Sequence, residues 1–257
     1  MVRGLYTGYT GMANEQKRLD IISNNIANSA TVGYKKEGVT NQSFDDVLTL
    51  KIRDASAAYQ DKVIGDMSLG VKLGEVYTDF NQGSLRETGN TYDLAIEGKG
   101  FFAVTVVDKE GNESTKYTRD GAFKRTADGF IVDTNGNHLQ SENGELIIPV
   151  DATDIRIGTD GSIFADNMLI DKVKIADFED YNYLKKFGDN MYEPVDGAVE
   201  MEGSGLIHQG FTEQSNINVV SEMVEMITIT RAYEANQKVI QTVDTMLDHA
   251  VNSVGKV

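Results

Sequence analysis

Chemistry in this chain would have to be built from four groups of residues: Gly98-Lys99-Gly100, the run Asp133 to Asn137, the histidines His138, His208 and His249, and the carboxylates. Gly98-Lys99-Gly100 carries the glycine–lysine pair of a phosphate-binding loop. Such a loop also needs an upstream glycine for its backbone cradle and a Ser or Thr hydroxyl after the lysine. Neither is present, since Gly100-Phe101 follows Lys99, so no phosphate site is expected. Asp133-Thr134-Asn135-Gly136-Asn137 begins like a calcium loop, but its glycine falls two places early and Gly144 stands where the bidentate Glu is required. It reads as a turn. The histidines lack metal-ligand spacing. A glycosidase-like carboxylate pair is conceivable in principle. With 40 Asp and Glu residues, however, some pair falls close by chance, and a solvated surface is the expected role. The residues therefore predict no enzyme, no cofactor and no metal.

Cysteine is absent from the 257 residues, which removes disulfides, thiolate metal sites and thiol nucleophiles. No apolar run approaches the roughly 18 residues of a membrane span, and mean hydropathy is −0.32. Met1 to Gly11 lack the charged, apolar and small-residue regions of a secretory signal. The expectation is either a cytoplasmic protein or one that leaves by a dedicated machine. Net charge is −16, which repels phosphate backbones and anionic lipid, so neither nucleic acid nor membrane insertion is expected. That charge is concentrated. Residues 1 to 30 carry Arg3, Lys17 and Arg18 against Glu15 and Asp20, while residues 215 to 257 carry three basic and five acidic side chains, which leaves −15 in the middle. The ends can approach one another without the self-repulsion of an acidic middle.

The ends also share a period. Leu5, Met12, Leu19 and Ile26 stand one heptad apart, with Tyr9 and Ile22 beside them. Val219, Met226, Tyr233, Ile240, Leu247 and Val254 hold one heptad position at the other end, flanked by Met223, Ile229, Val243, Ala250 and Val251. Both read as amphipathic helices with coiled-coil spacing. The first stops in the Asn28 to Gly33 cluster, and the second starts after Asn218 as N-cap and runs about 35 residues, ~50 Å. The middle alternates short strand-like runs, among them Asp93 to Glu97, Phe101 to Val107 and Asp154 to Gly158, with Asp120-Gly121, Asp128-Gly129, Asn135-Gly136 and Asp160-Gly161 as tight turns. The predicted fold is α+β: N- and C-terminal helices forming a coiled-coil domain, with a central, mainly antiparallel β domain. Its divisions are an N-terminal helix over 1–33, an extended connector over 34–89 with a short helix near Phe44 to Leu50, the β domain over 90–205 and a C-terminal helix over 206–257. Two helices alone leave apolar surface uncovered, so stable burial is expected to need neighbouring subunits.

Four ordered blocks carry a resemblance. Ser23-Asn24-Asn25-Ile26-Ala27-Asn28 followed by Thr31-Val32-Gly33-Tyr34-Lys35 resembles the N-terminal signature of flagellar rod and hook proteins. Asp93 to Phe102, Tyr117 to Phe123, and Glu213 to Val219 continuing to Arg231-Ala232-Tyr233-Glu234-Ala235-Asn236 resemble the family's middle and C-terminal blocks. Ile26 and Ser29 depart from the usual residues, and 35–89 matches less well. Length and the middle blocks are most like the distal-rod type, the proximal-rod type being next. The resemblance implies a structural subunit of the bacterial basal-body rod that polymerises into a helical tube and transmits torque from motor to hook. It also implies export through the flagellar type III apparatus without signal cleavage, residence in the periplasm or cell wall, and contacts with copies of itself and with other rod and hook proteins. Terminal helices would line the tube. The expected subunit interface is Leu5, Met12, Leu19, Ile22, Asn24, Asn25, Ile26, Asn28, Val219, Met223, Met226, Tyr233, Ile240, Val243, Leu247 and Val254, the Asn amides fixing register. Competing readings are a secreted cell-wall hydrolase and a non-polymerising binding module with a coiled-coil anchor.

Overall fold

The computed structural model describes residues 2–50, 63–107, 111–152, 154–188 and 190–254. They fall into two compact units, one of Met1–Ile26, Glu37–Tyr77 and Val219–Val257, the other of Ala27–Lys36 and Thr78–Asn218. The chain is α+β with a mainly antiparallel β unit, as the sequence predicts.

In the first unit α1 (Val2–Ala27) and α2 (Val219–His249) are long helices, α2 continuing into a π-helical turn, Ala250–Val254. Gly4, Gly8 and Gly11 sit inside α1, where each glycine costs ~1 kcal/mol of helix stability relative to Ala. At two of them the reason is close approach. A Cβ on Gly8 would lie 3.2 Å from Ile240 Cγ1, and one on Gly11 would lie 3.0 Å from Asn236 Nδ2. Gly8 meeting Ile240, Gly11 meeting Asn236 and Arg18 meeting Glu225 at 3.2 Å show that α1 and α2 run antiparallel.

Strand β1 (Glu37–Ser43) pairs with β4 (Val71–Thr78), and β2 (Val47–Leu50) pairs antiparallel with β3 (Val63–Met67). These strands are tied to α1 by Asn14 Nδ2 donating to Asn41 Oδ1 at 3.1 Å and Thr7 Oγ1 donating to the Leu69 carbonyl at 3.2 Å. The short helix expected near Phe44 to Leu50 is a correction: Val47–Leu50 is a strand. Its β-branched and apolar residues favour extended backbone, and a distant partner, Val63–Met67, satisfies that backbone. Residues 51–62 of the expected connector lie outside the described residues.

The second unit holds β5 (Leu85–Glu87), β6 (Leu94–Glu97), β7 (Phe101–Val107), β8 (Glu113–Thr118), β9 (Lys124–Arg125), β10 (Ile131–Val132), β11 (His138–Ser141), β12 (Gly144–Glu145), β13 (Ile155–Ile157), β14 (Ser162–Ala165), β15 (Met168–Lys172), β16 (Ile175–Phe178), β17 (Leu184–Phe187), β18 (Met191–Pro194), β19 (Glu200–Glu202), β20 (Leu206–Gln209) and β21 (Phe211–Glu213). The main sheet runs β17-β18-β8-β7-β11-β10-β9, with β16 also on β7 and β19 outside β16. β7 explains the architecture. Its run Phe101-Phe102-Ala103-Val104 is apolar at every position because both faces are covered. Phe102 and Val104 pack with Leu94, Ile96, Leu139, Ile163 and Ile207, while Phe101 and Ala103 pack with Tyr117, Phe178 and Tyr192.

The expected turns form at Asp128-Gly129, Asn135-Gly136 and Asp160-Gly161. Asp133 closes its turn by accepting the Asn135 and Asn137 amide protons on Oδ1, at 2.7 and 2.9 Å. Asp120-Gly121 is different. A Cβ on Gly121 would stand 1.6 Å from the Leu94 carbonyl oxygen, so this glycine admits a neighbouring strand instead of turning the chain.

Two phenols of the second core give a pH signature. Burial, followed by hydrogen bonds to Glu200 (2.9 Å) and Asp177 (2.7 Å), raises Tyr117 and Tyr181 above the ordinary tyrosine value of 10.0. The unfolded chain releases these protons first. Their contribution is therefore complete below pH 10 and is lost as pH climbs beyond it. In Tyr117→Phe and Tyr181→Phe the unfolding free energy is expected to fall less steeply above pH 10 than in the parent. Parallel pH curves for parent and variants would contradict this.

Candidate functional site

Among the described residues no cluster of three or more His, Cys, Asp or Glu side chains suited to a metal ion occurs. No described helix is long and apolar enough to cross a membrane. Two other arrangements stand out.

The first is the helix seam. Ile22 and Ile229 are buried, and Leu5, Met12, Leu19, Ile26, Val219, Met226, Tyr233, Ile240, Val243 and Leu247 are half-buried. The two stripes thus face inward within one chain, at least in part. Met223 and Tyr9 are about half exposed, off this line, and Val254 ends the π turn. At ~100° per residue, Val224 and Ile227 project to the side of α2 opposite Ile229 and Ile240. With Met223 they form a second apolar ridge, 49 to 60% exposed.

The second arrangement is a pair of amide-centred clusters, one inside each unit, built from residues close in sequence to those at which the chain changes unit, 26, 36, 77 and 218. On the helical side Asn25 is fully buried. Its Nδ2 donates to the Glu37 carbonyl at 2.8 Å and to Glu222 Oε2 at 3.3 Å, and its Oδ1 accepts the Glu37 amide proton at 3.1 Å. Glu222 is buried in the first turn of α2, where a helix N-terminus favours a carboxylate. Asn24 is exposed, and Asn28 Oδ1 accepts from Thr31 Oγ1 at 3.2 Å. Asn25 therefore spends its amide within its own chain.

On the β side Asn216 plays the matching part. Its Oδ1 accepts the Lys36 amide proton at 2.8 Å, and its Nδ2 donates to the carbonyls of Asp79 (2.8 Å) and Asn81 (3.1 Å). One amide thus holds three passes of the chain. Beneath it lies a buried ion triad. Glu213, wholly inaccessible, accepts from Lys35 Nζ at 2.6 Å, Arg119 Nη1 at 3.2 Å and the Gly83 amide at 2.8 Å. Lys35 also donates to the Asn81 carbonyl at 2.9 Å, and Arg119 Nη2 donates to the Gly98 carbonyl at 2.7 Å. Burial pushes the Lys35 ammonium below the ordinary lysine value, against the opposing pull of Glu213. Lys35, Arg119, Glu213 and Asn216 belong to three of the sequence blocks, yet none was singled out from sequence. The available signal was charged and amide residues recurring inside otherwise turn-forming and apolar blocks.

Comparison with known proteins joins these blocks into one family. The model for flagella basal body rod protein matches residues 5–35, that for the flagellar hook protein FlgE/F/G D1 domain matches 95–165, and that for the flagellar basal body rod FlgEFG protein C-terminal region matches 208–253. The chain is 36% identical to the flagellar basal-body rod protein FlgG of Bacillus subtilis over 98% of this chain and 99% of the relative. The chain belongs to the flagellar basal-body rod protein family. FlgG of Agrobacterium fabrum is also 36% identical, over 95% and 97% of the two chains, and FlgF of Caulobacter vibrioides is 31% identical over the full length of both. Membership makes the chain a structural subunit of the flagellar basal-body rod, and nothing in these similarities supports a hydrolase or a non-polymerising binding module. The buried triad and the two Asn clasps are thus features of a rod-family subunit.

Proposed function

We propose that this rod subunit polymerises into a helical tube by laying its terminal helices against those of neighbouring copies, in coiled-coil fashion, and carries torque from motor to hook without catalysing a reaction. The observation that carries this reading is the second ridge of α2. After α1 has covered one side of the helix, Met223, Val224 and Ile227 still present apolar surface on the other, and a helix with apolar residues on both sides is built to be covered twice. Nearly neutral ends in a chain of charge −16 suit such crowding. The inward stripe residues contribute by setting the α1–α2 seam that presents the ridge. Export through the flagellar type III apparatus without signal cleavage, residence in the periplasm or cell wall, and a distal rather than proximal position in the rod complete the proposal. They rest on the family resemblance and on the identity to FlgG.

Motility restored to a strain lacking this subunit is the test. Ile227→Asp adds a carboxylate to surface already exposed in the single chain, so the purified variant is expected to keep the parent's circular dichroism while rods fail to assemble and cells do not swim. Leu247→Asp and Ile240→Asp are expected to fail in the same assay, but with loss of helix as well, because those positions are half-buried at home. Normal swimming by the Ile227 variant would remove the ridge from the assembly.

A further inference from the structure

We infer that the outer edge of β19 is a docking site for an extended, basic segment of another polypeptide. β19 pairs with β16 in the antiparallel register Asp177↔Met201. The flanking bonds run from the Glu179 amide to the Val199 carbonyl at 3.3 Å and from the Gly203 amide to the Ile175 carbonyl at 3.0 Å. In such a ladder bonded and non-bonded pairs alternate. Met201 therefore spends its backbone groups on β16, whereas Glu200 and Glu202 direct theirs to the opposite side. Among the described residues no strand pairs with that side. All three residues of β19 are exposed.

Glu200, Met201 and Glu202 also line an open cleft of about 1170 Å³, together with Glu142, Asp160, Lys172 and Lys174. A strand added to this edge would lie ~4.8 Å from β19, on the side away from β16. An edge this short and bearing two glutamates is guarded against uncharged and acidic strands, which leaves a basic one as the partner it does not repel.

Side-chain chemistry selects the occupant. Glu200 and Glu202 project to one face of the sheet and Met201, 44% exposed, to the other. Lys174 lies 3.0 Å from Glu200, and Lys172 lies 3.5 Å from Glu202 and 2.7 Å from Glu142. With Asp160 on the rim, the ionisable groups around the edge carry two more negative than positive charges. A joining strand sets its residues beside those of β19 at alternate positions. The matching pattern is basic, apolar, basic: cations beside Glu200 and Glu202, an apolar side chain beside Met201. The same edge of a second copy is a poor occupant, since like charges directly opposite destabilise a strand pair.

The inference reaches beyond rod assembly by the helices and does not rest on it. Its test is fluorescence anisotropy of a labelled five-residue peptide alternating lysine and valine, titrated with the full-length chain, with an alternating glutamate–valine peptide as control. Saturable, salt-sensitive binding of the lysine peptide alone is expected. Glu202→Pro removes one outward N–H while leaving the ladder to β16 intact, and should weaken binding about tenfold, equivalent to 1.4 kcal/mol. Charge reversal at Glu202 alone (Glu202→Lys), which spares the hydrogen bond from Tyr117 to Glu200, should abolish it. Should the Pro variant unfold, the parent titrated with a lysine–valine peptide N-methylated at alternate residues gives the same readout, loss of binding. Equal binding of both peptides, parent-like binding by the charge-reversed variant, or no saturable binding overturns the proposal.

Discussion

Glu213→Leu is expected to destabilise the β unit by about 3–5 kcal/mol, the cost of breaking a buried ion pair by removing one partner. The arithmetic of the triad makes this residue the sensitive one. Two cations, Lys35 and Arg119, share a single carboxylate, and all three side chains are buried. Removing the carboxylate leaves both cations uncompensated and also strips the Gly83 amide of its acceptor. Lys35 then sheds its proton more readily still, because burial already lowers its pKa and Glu213 is the main influence holding it up. Lys35→Met is a different case. It removes the excess positive charge and leaves Glu213 paired with Arg119, so its cost is expected to be smaller, and replacing all three residues by apolar ones of similar volume should recover much of the loss. Urea denaturation followed by tyrosine fluorescence separates the outcomes. Equal costs for Glu213→Leu and Lys35→Met would show that the triad acts as three independent contacts.

How much of this was legible beforehand depends on the range of the interaction. Heptad spacing at both ends marked α1 and α2, because helix amphipathicity is local and repeats over many turns. β7 was legible to the residue, since a run of seven that is apolar but for Thr105, bounded by glycine and Asp-Lys, has few other readings. The strand at Val47–Leu50 was not. Its partner begins thirteen residues beyond its end, at Val63, and four residues of mixed character carry too little period to separate a helical turn from a strand. The candidate sites divide in the same way. The heptad stripe that meets α1 follows from the sequence; the points of closest approach, Gly8 against Ile240 and Gly11 against Asn236, follow only from the structure. Asn25 drew attention as an amide in a helix-ending cluster, but its bonds to Glu37 and Glu222 join residues 12 and 197 positions away. The triad spans 178 positions from Lys35 to Glu213. No local pattern encodes such a partnership.

Gly33 carries the second large effect, and a control within the same unit isolates its cause. Its φ of +67° lies in the left-handed region, which costs an L-residue with a Cβ roughly 1–2 kcal/mol. It also has no room. A Cβ would stand 2.4 Å from the Arg119 carbonyl carbon and 2.5 Å from the Asp120 nitrogen, both backbone atoms that cannot rotate aside. Its amide donates to the Glu213 carbonyl at 2.8 Å, so any displacement pulls on the strand that carries the triad's carboxylate. Forcing a methyl group into such a contact adds about 1–3 kcal/mol. Gly89 has nearly the same dihedral, +70°, with nothing within 4 Å of its Cβ position. Gly89→Ala should therefore show the conformational cost alone, and Gly33→Ala that cost together with the clash, ~2–5 kcal/mol in total. Urea midpoints of the two variants read the difference directly. If they coincide, the backbone crossing at Arg119 yields easily, and the glycine between Val32 and Tyr34 serves only to turn the chain.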